Sequence, residues 1–136
     1  MQSKLNTASS SNLINPTVIS DLQSRLNSIN TDSSVSEVKQ LQQAINNLSS
    51  SDKNIVRLQN AISSMENNLK SIRGKYGNLV DLGDIKKSTD EINRLKQLLG
   101  DLMNGKVISS SKLTSEINRG SNALKEMTIN CKTSSS

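Results

Sequence analysis

The sequence has no histidine, tryptophan or phenylalanine, and only one cysteine, one tyrosine and one proline. A single cysteine, Cys131, excludes an internal disulfide and any metal site built from several cysteines. Because histidine is absent too, a zinc site is excluded. The near absence of aromatic side chains leaves leucine and isoleucine to form the hydrophobic core. We therefore expect no metal and no cofactor.

Long apolar runs are also missing. No run approaches the roughly 20 apolar residues of a membrane-spanning helix. Met1–Leu5 leads into a polar tract and lacks the apolar core of a signal peptide. The sequence therefore predicts a soluble protein with no membrane span. It leaves the compartment unknown, with a virion or an extracellular assembly as candidate locations.

The charge of the chain is moderate and scattered. Its 136 residues include 17 lysines and arginines and 12 aspartates and glutamates, which gives a net charge of +5. Such an excess permits a polyanionic partner but does not require one, so nucleic acid is allowed without being favoured. The residues of the densest positive region, which are the candidate polyanion contacts, are Lys70, Arg73, Lys75, Tyr76, Lys86 and Lys87. They form either a basic tip with Tyr76 stacking on a base or, as we favour, a solvated turn that Tyr76 anchors.

Apolar residues recur at alternating steps of three and four, which is the a/d pattern of a coiled coil. The longest unbroken run lies within residues 54–79, and shorter runs flank it on both sides. This pattern predicts an all-α fold of about five short-to-medium amphipathic helices, arranged as a coiled coil or as an elongated bundle or hairpin. The predicted interaction seam comprises Ile55, Leu58, Ile62, Met65, Leu69, Ile72, Ile92, Leu95, Leu99 and Leu102.

Composition predicts three regions along the chain. Residues 1–12 read as a flexible polar arm, 13–128 as a single helical coiled-coil or bundle domain, and 129–136 as a flexible polar tail. Within the domain, three glycines make 74–84 the main turn or hinge. Residues 49–52 either break a helix or carry a three-residue stammer of a continuous one, and serine and aspartate favour the break.

Three patterns predict where helices begin. Asn15 can cap a helix whose first residue is Pro16, since proline lacks the N–H that would be unpaired there. Two further segments match the capping box, in which a serine and a glutamate three residues later satisfy each other's free backbone N–H groups. These are Ser34 with Glu37 and Ser88 with Glu91.

No set of residues predicts catalysis, so we expect no enzyme, no catalytic residue and no small-molecule substrate. Residues 100–107 have the glycine and lysine spacing of a phosphate-binding P-loop. That loop needs a preceding strand and a hydroxyl after the lysine, whereas a helix is predicted here and Val107 follows Lys106. A helix C-cap explains Gly105 better.

In composition, with much Ser, Asn, Gln, Leu and Ile and few aromatics, the chain resembles the helical regions of flagellin-like filament subunits and small helical virion proteins. No motif of those families is present in it. Our first hypothesis is a non-enzymatic structural or interaction protein. It would pack its helices against copies of itself or a larger assembly, such as a virion, filament or secretion apparatus. The alternatives are a small basic nucleic-acid-associated protein acting through Lys70–Lys87, and a helical adaptor or inhibitor of a partner protein.

Overall fold

The computed structural model of the protein describes residues 1–135, which form five α-helices, one 3-10 turn and no strand. This confirms the all-α fold predicted from the heptad pattern. A 3-10 turn, Gly77–Leu79, follows the third helix. The helices are α1 (Gln2–Ser11), α2 (Pro16–Asn27), α3 (Val35–Tyr76), α4 (Leu82–Met103) and α5 (Ser110–Ser135).

The long helix α3 passes through residues 49–52 without interruption, so the predicted break is wrong and the continuous helix is observed. Ser51 supplies the physical reason. It occupies the seam position between Leu48 and Ile55, and its side chain is only 4% exposed. A small hydroxyl can be buried there while apolar neighbours on the same face remain packed, and tertiary packing outweighs the weak helix preference of serine.

Both predicted flexible ends are helical where the structure describes them. In α1, Leu5 and Ala8 lie about one turn apart and are buried, and the Lys4 ammonium donates to Asn46 Oδ1 of α3 at 2.5 Å. In α5, the buried Cys131 continues the packed face beyond residue 128. Packing of a few apolar side chains therefore orders segments whose polar composition predicted disorder. The last position, 136, lies outside the described residues.

The turn predicted within residues 74–84 is present, and it lies at residues 77–81. Helix α3 ends at Tyr76, Gly77 adopts φ +53°, and α4 begins at Leu82. A positive φ is readily adopted only by glycine, so Gly77 marks the chain reversal. By contrast, the predicted capping box at Ser88 is wrong, because Ser88 is a buried residue inside α4.

The predicted capping box before α3 is present. The Glu37 backbone N–H donates to Ser34 Oγ at 3.1 Å, and the Ser34 backbone N–H donates to Glu37 Oε2 at 3.4 Å. Both bonds satisfy N–H groups that the helix itself cannot pair. This start depended on local sequence alone, and it was predicted correctly.

The chain divides into two compact units, each formed by two separate stretches. Unit 1 consists of Met1–Val56 and Gly100–Ile108, and unit 2 of Arg57–Leu99 with the residues from Ser109 onward. The boundaries therefore fall inside α3 and α4. The single domain predicted for residues 13–128 stays a prediction. Unit 1 has a core of Leu5, Ile14, Leu22, Leu41, Ile45 and Leu48.

Unit 2 is a three-helix bundle. Its α4 and α5 are antiparallel, since Lys87 of α4 pairs with Glu126 of α5 at 2.8 Å and Arg94 pairs with the earlier Glu116. The part of α3 in this unit lies beside α5, where Arg57 donates to Thr114 Oγ1 at 2.5 Å. The core of the bundle comprises Leu58, Ile62, Met65, Ile72, Ile92, Leu95, Leu113, Leu124 and Met127.

Candidate functional site

The predicted interaction seam is the hydrophobic core of the chain itself. Eight of its ten residues are buried, and Leu69 and Leu99 are half-buried. Ile55 and Leu102 belong to unit 1, and the other eight belong to unit 2. The heptad spacing identified the packed face correctly, but spacing alone cannot distinguish a face packed within one chain from a face packed against another. In this structure the face is packed within the chain, and its role as an interaction seam stays a prediction.

The net positive charge belongs to one unit. Unit 1 has five lysines and arginines and five aspartates and glutamates, so its side chains are balanced. Unit 2 has twelve basic and seven acidic side chains, which accounts for the whole excess of +5. Charge concentrated on one small body attracts anionic partners more strongly than the same charge spread over the chain. The sequence alone could not show this, because both units are discontinuous.

Two of the predicted polyanion contacts are already paired with carboxylates. Lys86 lies 2.7 Å from Asp90, and Lys87 lies 2.8 Å from Glu126. The hydrogen bond to Asp90 raises the pKa of Lys86, and the bond to Glu126 raises the pKa of Lys87. Each lysine therefore stays charged, but its charge is compensated by the neighbouring carboxylate.

Lys70 and Arg73 differ from those two lysines. Both are exposed on α3, one helical turn apart, and neither makes an ion pair with any residue that the structure describes. They line an open groove of about 540 Å³ together with Glu66, Leu69 and Gly74. The Glu66 carboxylate is held by Lys96 at 3.5 Å, so it is partly neutralised. We define the α3 groove as these five lining residues.

Tyr76 is half-buried at the end of α3, and the Lys75 ammonium lies 5.4 Å from the centroid of its ring. This contact is a cation–π interaction within the chain. It covers one face of the only aromatic ring of the protein. The geometry therefore supports the favoured interpretation of Tyr76 as an anchor of the turn more than the stacking of a base on it.

Three apolar side chains are exposed at one end of unit 2. Leu79 is 46%, Leu82 is 79% and Ile129 is 61% exposed. The 3-10 turn that holds Leu79 contacts α5. Asn130 of α5 donates to Asp84 Oδ2 of α4 at 3.0 Å, so the last turns of α5 lie beside the start of α4. We call Leu79, Leu82 and Ile129 the turn end of unit 2.

The sequence pattern did not predict two members of the turn end. It assigned Leu79 to the heptad run and did not select Leu82 or Ile129. A signal for Ile129 was available, because it falls off the α5 face that buries Leu124, Met127 and Cys131. Leu82 gave no such signal, since the exposure of the first residue of a helix depends on how the preceding turn folds.

The P-loop-like segment is a helix C-cap. The Lys106 backbone N–H donates to the Asp101 carbonyl at 3.0 Å, and the Gly105 N–H donates to the Leu102 carbonyl at 3.1 Å. With Gly105 at φ +102°, these bonds form a Schellman motif. The glycine spacing therefore serves to end α4, as predicted.

One acidic group of unit 1 lies in an unusual environment. Asp52 Oδ1 is buried and has no hydrogen-bond partner among the residues that the structure describes. Burial raises the pKa of the Asp52 carboxyl, and the nearby Ser11 hydroxyl lowers it less. That hydroxyl has a single proton, which it donates to the Ala8 carbonyl oxygen at 2.7 Å, so it offers the carboxylate little. Asp52 is a lone group, without a second titratable partner that would suit acid–base chemistry.

Unit 1 also has a groove of about 440 Å³, among α2, α3 and the segment after α4. Its charged side chains, Asp21 and Arg25, lie 4.0 Å apart, and Asn47 and Asn104 add amide groups. One neutral pair and two amides provide no activated nucleophile. Throughout residues 1–135, no three acidic or cysteine side chains come together in a way that could hold a metal ion. In the same residues, no helix has the length and apolar content needed to cross a membrane.

Comparisons of the chain with protein-family models, with curated proteins and with solved structures gave no match. The candidate sites are therefore the turn end of unit 2 and the α3 groove, on the geometry of this chain alone.

Proposed function

We propose that this chain is a non-enzymatic structural protein that joins an assembly through the turn end of unit 2, with copies of itself as the first partner. The observation that carries the proposal is the exposure of Leu79, Leu82 and Ile129 at the same end of one helical bundle. Single exposed apolar residues are ordinary on protein surfaces, whereas several at one end are typical of contact surfaces.

The apolar area at the turn end suits a weak, concentration-dependent contact. Full burial of one leucine contributes roughly 1.5–3 kcal/mol, so three partly exposed side chains contribute a few kcal/mol before the cost of association. Two copies that meet through the same surface form an isologous contact, in which each residue faces its counterpart across a twofold axis.

Charge opposes this contact between copies. Each unit 2 has a net charge of +5, so two turn ends repel each other at low ionic strength. Salt screens that repulsion and leaves apolar burial in place. Association through the turn end should therefore strengthen as salt is added, which is the opposite of the salt dependence of binding to a polyanion.

The test is the mass in solution, measured by light scattering after size exclusion over a concentration series at low and high salt. We expect the mass of the wild-type chain to rise with concentration, and more so at high salt. Leu82→Ser should reduce or abolish the rise. Val35→Ser is the matched control, because Val35 is 70% exposed but lies in unit 1.

A mass equal to one chain under all conditions would contradict association between copies. Equal behaviour of Leu82→Ser and the wild type would show that any oligomer uses another surface. Circular dichroism of both variants should match that of the wild type, since neither side chain belongs to a core.

A further inference from the structure

We propose that the α3 groove binds the phosphate backbone of a nucleic acid, with Lys70 and Arg73 as the contact residues and without preference for base sequence. This site is independent of the proposed assembly surface. It uses the exposed flank of α3, and none of its residues belongs to the turn end.

The first support is the pairing of most of the other cations in unit 2. Those that make ion pairs with carboxylates are Lys86, Lys87, Arg94, Lys96, Lys112 and Arg119. Arg57 donates to Thr114 and to the Ser110 carbonyl instead. Lys75 lies over the Tyr76 ring, and Lys125 is exposed on α5 without an ion pair to a described residue. Lys70 and Arg73 also have no carboxylate partner within the described part of the chain, and these two line one groove together. A phosphate can therefore bind Lys70 and Arg73 without first breaking an ion pair of either residue.

The second support is the geometry of the groove. Lys70 and Arg73 are three residues apart on one helix, so they point from the same face with a rise of about 4.5 Å between them. The space beside Gly74 is open, since a Cβ added there would meet no atom of the described residues within 4 Å. Arginine can bind a phosphate with two parallel N–H donors, and lysine adds a point charge. An open groove along a helix suits a strand that passes through it.

The third support is the field of the whole unit, combined with the surroundings of its one aromatic ring. The net charge of +5 on unit 2 draws a polyanion towards the groove. Base recognition on single strands relies on exposed aromatic rings, whereas Tyr76 is half-buried and covered by Lys75. Contacts to phosphate alone are strong at low salt and insensitive to sequence.

The experiment measures binding of a fluorescein-labelled DNA duplex of about 20 base pairs, and of a poly(dT) strand of similar length, by anisotropy over a salt series. The test variant is Lys70→Gln/Arg73→Gln. Lys39→Gln/Lys53→Gln is the matched control: it removes two exposed charges from the same helix α3, but in the neutral unit 1. Neither Lys39 nor Lys53 makes an ion pair with a described residue.

We expect the wild type to bind both DNA probes at about 50 mM salt, with affinity that falls steeply as salt rises. The Lys70/Arg73 variant should weaken binding at least about tenfold and reduce the salt slope by about two, since two phosphate contacts are lost. The Lys39/Lys53 control should change affinity by less than about threefold, because only the long-range field is altered. Lys86→Gln/Lys87→Gln should resemble that control.

Four results would overturn the proposal. The first is no binding of either probe by the wild type at low salt. The second is equal loss of affinity in the Lys70/Arg73 variant and in its control, which would mean attraction by net charge without a site. The third is a loss of affinity in Lys86→Gln/Lys87→Gln instead of in the Lys70/Arg73 variant. The fourth is an affinity for poly(dT) that differs from the affinity for poly(dA), which would mean base recognition instead of phosphate recognition. The turn-end proposal is unaffected by these outcomes, because its readout is the mass of the chain without DNA.

Discussion

The two units have the same kind of fold and opposite polar chemistry. In unit 1, no ion pair joins separate elements among the described residues, and neutral groups make most of the hydrogen bonds between them: Gln2 with Gln23, Asn15 with Asn104, and Asn54 with the Ile108 carbonyl, beside the bond from Lys4 to Asn46. In unit 2, ion pairs join the helices, and they are Lys87–Glu126, Arg94–Glu116, Arg119–Glu91 and Lys96–Glu66. Unit 1 is electrically balanced and unit 2 has the whole net charge.

This difference shows that a uniform heptad pattern can conceal two chemically different bodies. Apolar spacing determines where side chains are buried, and it is similar in both units. Polar residues determine what surrounds the core, and they separate a neutral unit from a cationic one. The candidate polyanion site and the candidate assembly surface both lie on the cationic unit.

The largest effects should come from the two cores. Leu95 in unit 2 and Ile45 in unit 1 are fully buried, and replacement by alanine should lower the free energy of unfolding by about 2–5 kcal/mol in each case. If the units are separately cooperative, amide hydrogen exchange should increase mainly in the unit that carries the substitution. A uniform increase across both units would show instead that they unfold as one body.

An intermediate effect should come from the ion pairs of unit 2. Arg94 contacts Glu91 at 2.8 Å and also Glu116, and its side chain is 25% exposed. Arg94→Met leaves two half-buried carboxylates without this partner, so we expect a loss of about 1–2 kcal/mol in urea unfolding. Arg25→Met removes the exposed Arg25–Asp21 pair of unit 1 and should cost less than about 0.5 kcal/mol. Equal losses of unfolding free energy in Arg94→Met and Arg25→Met would show that ion pairs stabilise the two units to the same extent.

The smallest effect should come from Asp52 in unit 1. Because burial raises its folded pKa above the ordinary 3.8, the folded state holds the proton more tightly than the unfolded state. Protonation of Asp52 therefore stabilises the folded chain. This stabilisation is fully present below the unfolded pKa of Asp52 and is lost as the pH rises through its folded pKa. Asp52→Asn should stabilise the chain at pH 7 by up to about 1 kcal/mol.

The measurement that checks this is the difference in unfolding free energy between Asp52→Asn and the wild type, from pH 7 down to the ordinary pKa of 3.8. The gain from Asp52→Asn should shrink as the pH falls towards 3.8, where Asp52 becomes protonated in the wild type as well. A difference that stays constant with pH would mean that Asp52 is not the group responsible. Asp32→Asn, at an exposed position of unit 1, is the control.

Much of the fold could be predicted because it depends on local sequence. The Ser34–Glu37 capping box, the turn at Gly77 and the C-cap at Gly105 each involve neighbouring residues only. The helical conformation of α1 and the continuity of α3 through Ser51 could not be predicted in this way. Both depend on burial against residues far along the chain, and that burial outweighs their weak helical preference.

The candidate sites were predicted only in part. The basic region between Lys70 and Lys87 could be seen in the sequence. Which of its cations are paired with carboxylates and which are not could not be predicted. Lys87 pairs with Glu126, which is 39 residues away, so no local pattern could indicate that its charge is compensated. Lys70 and Arg73 remained candidates because no carboxylate of the described chain makes an ion pair with them, and the nearby Glu66 is held by Lys96.

The sequence by itself determined that the chain is helical and which faces are apolar, because the repeat of three and four residues is a property of each helix alone. The tertiary structure decided that this seam is packed within the chain, that charge and neutrality are separated into two units, and that Leu82 and Ile129 are exposed. Those outcomes depend on which distant segments meet. Side-chain spacing along one helix holds no information about that choice.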